Sequence, residues 1–359
     1  MTQYVLRAVN TDDSIQDVGL SFTSLSYSKT INAVGALTLK FIGAHADAAA
    51  DIFKEDTRIL VFRQPNGGAS YLDCEAVWFV TRAILSVGSD RKMVLDVGAK
   101  SALDLAARNL IAFASGSSQS TVLGAADNEM KRIINLNIGP GGGTRALRGL
   151  SVQGNSGLGA NVSKQGGWRD LLQAVQEIAR DSEAGGTAIY FDIIATGLTT
   201  MQFRTWIGQP GAVRSAPTMS LEAGTLRAAS WGFDRENDVN VVYGLGQEVA
   251  GARQVVTATD GSATTTPWSR RETTIDARNA KLTAELQSEA NAELKRRRPK
   301  SVVVTADAAD TTAAVYGRDW NYGDRIPVSV GGLRYSCLVE SVQVSVSGSK
   351  EEVKASLKF

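Results

Sequence analysis

The chain has 359 residues, enough for two or three domains with their own cores, and its 38 basic and 37 acidic side chains leave a net charge of +1. That balance gives no electrostatic reason for a nucleic-acid or bulk-membrane partner, and no run of about 18 apolar residues marks a transmembrane helix. The single histidine, His45, in "GAHADAAAD", reads as an exposed bystander in a short loop or helix. A Ser-His-Asp triad would have to use it, and histidine metal sites are excluded.

The N-terminus "MTQYVLRAVN" lacks the basic start and apolar core of a signal peptide. Cys74 and Cys337 both sit in apolar alternating runs and read as buried free thiols of a protein made in a cytoplasm. The first hundred residues read as strands. "ALTLKFI" alternates Leu37, Leu39 and Phe41 against Thr38 and Lys40, and "TRILVFRQPNGGASYL" is an apolar run, a turn at Pro65–Gly68 and a return. With "EAVWFVTRAIL" and "RKMVLDVGA", six or seven short strands predict a compact antiparallel barrel or sandwich.

Helical spacing begins after Gly98, in "KSALDLAARNLIAF" and in "STVLGAADNEMKRIINLN", where Val122, Ala126, Met130 and Ile133 share a side. "GPGGGTRALRG" reads as a mobile connector, since it lacks the Gly-Lys-Ser/Thr ending of a phosphate loop. "GGWRDLLQAVQEIARDSEAGG" carries the clearest helix, with Trp168, Leu171, Leu172, Val175, Ile178 and Ala179 as one stripe and Gly185 closing it. A strand pair, "TAIYFDIIATG" and "TTMQFRTWIG", follows.

Strands dominate again after Gln209. "TLRAASWGFDRENDVNVVYGLGQEV" reads as two strands around a polar bend at Asp234–Asp238, and Gly251–Arg271 as an exposed hairpin or loop. In "DARNAKLTAELQSEANAELKRRRP", Leu282, Leu286, Ala290 and Leu294 repeat every four residues; Asp276 reads as the cap, Pro299 as the stop, and Arg296–Arg298 as a basic cluster favoured by the helix dipole. The closing strands place Ile326, Val328 and Val330, then Leu333, Tyr335, Cys337 and Val339, then Val342, Val344 and Val346 on buried faces. A bulge is expected near Glu340–Ser341. In "VKASLKF", Val353, Ala355, Leu357 and a buried Phe359 alternate against polar residues.

"YGRDWNYGDRIPV" reads as a turn into a strand. Gly323 suits a positive φ, Asp324 can accept backbone N–H bonds, and Pro327 marks an edge. An acid/base reading would use Asp319 and Asp324, or Asp234 and Glu236, but no spacing or histidine partner supports it. A sugar-binding reading would use Trp231, Trp268 or Trp320, although a tryptophan in a strand is more often core.

From "VNVVYGLGQ" through the helix to "YGRDWNYGDRIPVSVGGLRYSCLVESVQVSVS", the order resembles the tail-hub (baseplate hub, or tail-associated) proteins of long-tailed phages. Relatives of that family include the contractile-phage hub and the N-terminal part of the type VI secretion spike. Tyr316, Gly317, Asp319, Gly323 and Asp324 match its Tyr-Gly-x-Asp-x-x-x-Gly-Asp turn motif. The resemblance implies a mainly β (α+β) chain with two tube-type antiparallel β-barrels, an inserted α/β region and an additional helix near the second barrel. The divisions would be residues 1–100, 101–208 and 209–359, with an excursion at 251–299. It further implies a non-enzymatic virion protein of the tail tip without catalytic, metal or cofactor residues. This would be a homotrimer contacting the distal tail ring, the tape measure protein and a central spike or fibre, with no sequence-specific nucleic-acid binding.

Overall fold

The computed structural model describes residues 2–89, 91–113, 124–162, 167–232, 235–249, 251–266, 268–278, 283–297 and 303–359. The chain begins with β1 (Gln3–Val9), β2 (Ile15–Asp17), β3 (Ser24–Thr30), β4 (Ala36–Ile42), β5 (Arg58–Gln64), β6 (Tyr71–Val87) and β7 (Met93–Ser101). The period-two pattern explains them: Leu37, Leu39 and Phe41 are buried in β4, while Ala36, Thr38 and Ile42 face out. Helix α1 (Ala44–Ile52) buries Ala46, Ala49 and Ile52 and leaves His45 exposed.

The middle of the chain holds α2 (Asp104–Ala107), β8 (Gly124–Ala125), α3 (Ala126–Asn137), β9 (Leu150–Val152), β10 (Asn161–Val162), α4 (Leu171–Ala184), β11 (Ile189–Ala195) and β12 (Met201–Ile207). Met130, Ile133, Val175, Ile178, Phe191 and Phe203 share a core with Leu60, Val77 and Phe79 of the first strands. The Asp170 carboxylate caps α4 by accepting from the Gln173 N–H at 2.7 Å.

Three expectations change in this region. The helical spacing of Lys100–Phe113 yields only the four residues of α2. The Ile111 N–H donates instead to the Arg169 carbonyl at 2.9 Å, and the Leu171 N–H to the Asn109 carbonyl at 2.9 Å, so this backbone is spent outside a helix. Trp168 leaves the apolar stripe: it precedes α4 with φ 49° and is 66% exposed. The connector at Pro140–Arg145 is a 3-10 turn, with Gly143 at φ 58°. Val122 lies outside the described residues.

The chain continues with β13 (Met219–Ser220), β14 (Leu226–Gly232), β15 (Val241–Val249), β16 (Ala252–Thr259), β17 (Glu272–Asp276), α5 (Thr283–Arg297), β18 (Val303–Ala309), β19 (Arg325–Val330), β20 (Leu333–Ser347) and β21 (Lys350–Lys358). Strands β16, β15 and β17 form a separate small sheet, with α5 laid over it through Leu286, Ala290 and Leu294. The glycines of "YGLGQE" permit that contact, because a Cβ on Gly244 would stand 2.8 Å from Val256 and 3.3 Å from Ala290. Asp276 is not the helix cap; it ends β17 and pairs with Arg253 at 2.6 Å. Leu282, Arg298 and Pro299 lie outside the described residues.

The largest sheet has thirteen strands and joins both ends of the chain, in the order β14-β18-β21-β20-β3-β4-β7-β6-β5-β1-β2, with β19 and β13 branching from β20. The two tube-type barrels expected do not stand as separate closed units: the pairing path is open, and no closed barrel forms among the described residues. The reason lies in β20. Its first part pairs with β19, its second part with β3, and β21 takes its other edge from Leu338 onward, across a bulge between Val339 and Ser341. The edge of β3 that a self-closed N-terminal barrel would need is therefore occupied by β20. Leu25 and Tyr27 of β3 share one core with Val344, Val353 and Leu357. Phe359 departs from its expected burial: it is 56% exposed and meets Tyr335 edge-on at 5.5 Å. Leu333, at the turn that opens β20, is also exposed. No described helix is long and apolar enough to cross a membrane.

Candidate functional site

The segment between β18 and β19 forms a tight loop built on its own polar side chains. Asp319 accepts from the Val315 N–H at 2.8 Å and pairs with Arg318 at 2.7 Å. The Gly317 N–H donates to the Trp320 carbonyl at 2.8 Å, and the Trp320 indole to the Ala314 carbonyl at 3.0 Å. Gly323 takes φ 78°. Buried Asp324 accepts from the Ala212 N–H at 2.7 Å, the Asn321 N–H at 2.9 Å and Arg214 at 2.8 Å.

Tyr316 connects this loop to the N-terminal strands. It is fully buried, with its ring 5.0 Å from that of Trp320. Its hydroxyl donates to Asp73 at 2.7 Å, its N–H donates to Asp310 at 2.9 Å, and its carbonyl accepts from Arg63 at 2.6 Å. The Arg63 guanidinium also lies 4.8 Å from the Tyr316 ring centre, donates to Glu351 at 2.9 Å and pairs with Asp310 at 3.6 Å. Tyr27 donates to Asp73, and Tyr4 to Glu351. Gly317 has no room for a side chain: at φ 84°, its Cβ would stand 2.7 Å from Arg63 and closer still to the Tyr71 hydroxyl.

Protonation follows from this packing. Burial pushes the Tyr27 and Tyr316 hydroxyls well above their ordinary range, which keeps them donors. Burial also works against the Glu351 carboxylate, but hydrogen bonds from Arg63, Thr2 and Tyr4 outweigh it and hold the group below its usual value. A second buried pair, Lys29 to Asp192 at 2.8 Å, ties β3 to β11.

The sequence motif is thus brought together as a brace of turn bonds and buried polar contacts. Asp319 and Asp324 are held by separate sets of partners. Asp234 lies outside the described residues, and exposed Glu236 sits in the bend before β15. Trp320 is buried and Trp268 is 88% exposed, while the side chain of Trp231 lies outside those described. No group of three metal-ligating side chains occurs among the described residues. Both cysteines are free, with Cys337 buried and Cys74 partly exposed.

The motif alone does not reveal Tyr27, Lys29, Arg63, Asp73, Asp192, Asp310 or Glu351. A signal exists for two of them: Lys29 continues the inward positions of Leu25 and Tyr27, and Arg63 sits within the apolar run of β5. Beside Tyr316 opens a cavity of about 650 Å³, bordered by Phe62, Tyr71, Cys74, Glu75, Phe191 and Tyr322 among others.

The family model described as "Siphovirus ReqiPepy6 Gp37-like protein" matches residues 107–357. No curated protein matches. Among solved structures, the fold is similar to the 43 kDa tail protein of prophage MuSo2 from Shewanella oneidensis, at TM-score 0.62 and 13% identity, covering 99% of this chain and 97% of that one. It is similar to the tail protein from Neisseria meningitidis MC58, at TM-score 0.59 and 12% identity over 99% and 96% of the two chains. It is also similar to prophage tail protein gp18 from Listeria monocytogenes EGD-e, at TM-score 0.55 and 12% identity over 99% and 94%. At such identities the likeness carries the fold.

Proposed function

The chain belongs to the Siphovirus ReqiPepy6 Gp37-like family and has the fold of phage tail proteins, and we propose that it is the structural hub of the tail tip. In this reading three copies form a ring that continues the tail tube and adapts its sixfold symmetry to a threefold spike or fibre. Each chain end supplies one tube-type unit, residues 1–100 and 209–359, with 101–208 and the excursion 251–299 attached to them. The partners are the distal tail ring, the tape measure protein and the central spike or fibre.

The observation that carries this reading is the open sheet that both chain ends build together. An open sheet keeps surface for a neighbour, and a cyclic ring needs one heterologous contact repeated around it. The end of β6 supplies such surface: Thr81–Val87 are all exposed, with Ile84 at 51%, Leu85 at 41% and Val87 at 65%. A contact that holds copies together would bury on the order of 1,000 Å² or more.

Replacing Ile84 and Val87 together with aspartate tests this contact. Both side chains are exposed, so no core contact is lost; Ile84→Asp faces Asp96 across the strand pair, and folding stability should fall by roughly 1 kcal/mol in all. Sedimentation at increasing concentration should show trimers of the parent protein and monomers of the variant. Equal association of the two proteins would place the contact elsewhere. A sugar-binding reading of the tail tip has one favouring observation, the exposed ring of Trp268, and glycan-array binding lost in Trp268→Ala would support it.

A further inference from the structure

The cavity lies against the brace, with Tyr316 and Asp324 in its wall. Its volume of about 650 Å³ falls in the range of small-ligand sites, roughly 300–1,000 Å³. Phe62, Tyr71, Phe191, Trp206 and Tyr322 line it, so much of its wall is aromatic. Three acids also border it. Asp192 is neutralised by Lys29 at 2.8 Å and Asp324 by Arg214 at 2.8 Å. Glu75 makes no hydrogen bond or ion pair among the described residues. Partial burial raises the Glu75 carboxyl above its usual range, with the Arg204 charge acting the other way; Arg204 does not pair with it and donates instead to Gln202 at 2.7 Å.

The backbone that presents Glu75 is unusual. Between Leu60 and Phe62 of β5, the partner strand runs from Val77 to Leu72, so an enlarged bulge spans Asp73–Ala76. Cys74 and Glu75 within it take φ 54° and 47°, a left-handed conformation unfavourable for side chains with a Cβ. The bulge buries Asp73 against Tyr27 and Tyr316 and sets Glu75 at the cavity. Strain of this kind is retained where surrounding structure enforces it, and it concentrates at ligand sites.

We infer that this cavity binds an organic cation with an apolar body, the chemistry shared by an arginine or lysine side chain and a free alkylguanidine or alkylamine. The positive head would meet the Glu75 carboxylate and the negative faces of the aromatic rings, while the apolar body replaces water along Phe62 and Phe191. Glu75 is itself solvent-exposed at the cavity mouth, so an anion would be repelled by it and a neutral molecule would gain no charge attraction from it. Burial pushes the Cys74 thiol well above its ordinary range, so it forms wall without acting as a nucleophile. The inference does not depend on the number of copies in the ring.

The test is calorimetric titration of the full chain with butylguanidinium, with butylurea as the neutral isostere. Butylguanidinium should bind saturably, at least tenfold more tightly than butylurea. Glu75→Gln should weaken the cation at least tenfold and leave butylurea unchanged. Trp206→Leu, which keeps the charge, should weaken the cation by several-fold and guards against a folding defect in the first variant. A capped Leu-Arg-Leu peptide distinguishes the two sources: tighter binding than butylguanidinium supports a partner's side chain, and equal binding supports a free cation. Absence of saturable binding, equal affinity for butylurea, or equal affinity in Glu75→Gln overturns the proposal.

Discussion

Arg63→Met should lower the stability of the protein by about 3–5 kcal/mol, the loss expected when one partner of a buried ionic network is removed. The Arg63 side chain is fully buried, and the side chains facing it, Glu351 and Asp310, are only 16% and 21% exposed. Without the guanidinium, these two acids and the Tyr316 carbonyl lose the donor they share, and the Tyr316 ring loses its cation. Lysine is no substitute, because one ammonium cannot reproduce the planar fork that reaches Glu351 and the Tyr316 carbonyl together. Removing Glu351 as well, in Arg63→Met with Glu351→Leu, should recover part of the loss, since it deletes a stranded charge. Urea unfolding of Arg63→Met, Arg63→Lys and the double variant measures this. A single-variant loss under about 1 kcal/mol would show that the brace contributes little to holding the chain ends together.

Removing Val353–Phe359 should be more damaging still. β21 lies between two strands, with Ala355 opposite Ala308 of β18 and Val342 of β20. Its loss takes buried Val353, Ala355 and Leu357 from the shared core, roughly 1.5–3 kcal/mol for each of the two larger side chains. It also exposes two new strand edges, which invite pairing between molecules. The truncated protein should be insoluble or aggregated. Deleting Phe359 alone should change little, because that ring is more than half exposed. A soluble, monodisperse truncation with the parent's circular dichroism would make β21 peripheral.

Elements with a clean period were legible in the sequence. The alternation of "ALTLKFI" corresponds to β4, the Val342-Val344-Val346 series to buried positions of β20, and the broken register before it to the bulge at Val339–Ser341. α4 shows the same for a helix, with a stripe from Leu171 to Ala179 and a closing glycine, although its Asp170 cap emerges only in the structure. What stayed hidden depends on partners distant in the chain. Nothing local to "SLSYSKT" says that its free edge meets Ser341–Ser347, and that pairing is what makes one sheet out of two ends. Trp168 fits the helical period, but backbone bonds between the 109–111 segment and residues 168–171 end the regular pattern before it. The brace was half visible. The motif from Tyr316 to Asp324 stood out by composition, whereas Arg63, Asp73 and Glu351 are ordinary charged residues until the sheet brings them to Tyr316. The bulge that carries Glu75 left no signal, since left-handed backbone at Cys74 and Glu75 is imposed by the surrounding fold.

The most direct test of the hub reading is a reconstruction of the assembled tail tip by electron cryomicroscopy. The account predicts three copies of this chain around the channel, their sheets continuing the tube wall and the exposed ends of β6 at the contacts between copies. Six copies, a single copy, or a position outside the channel wall would contradict it.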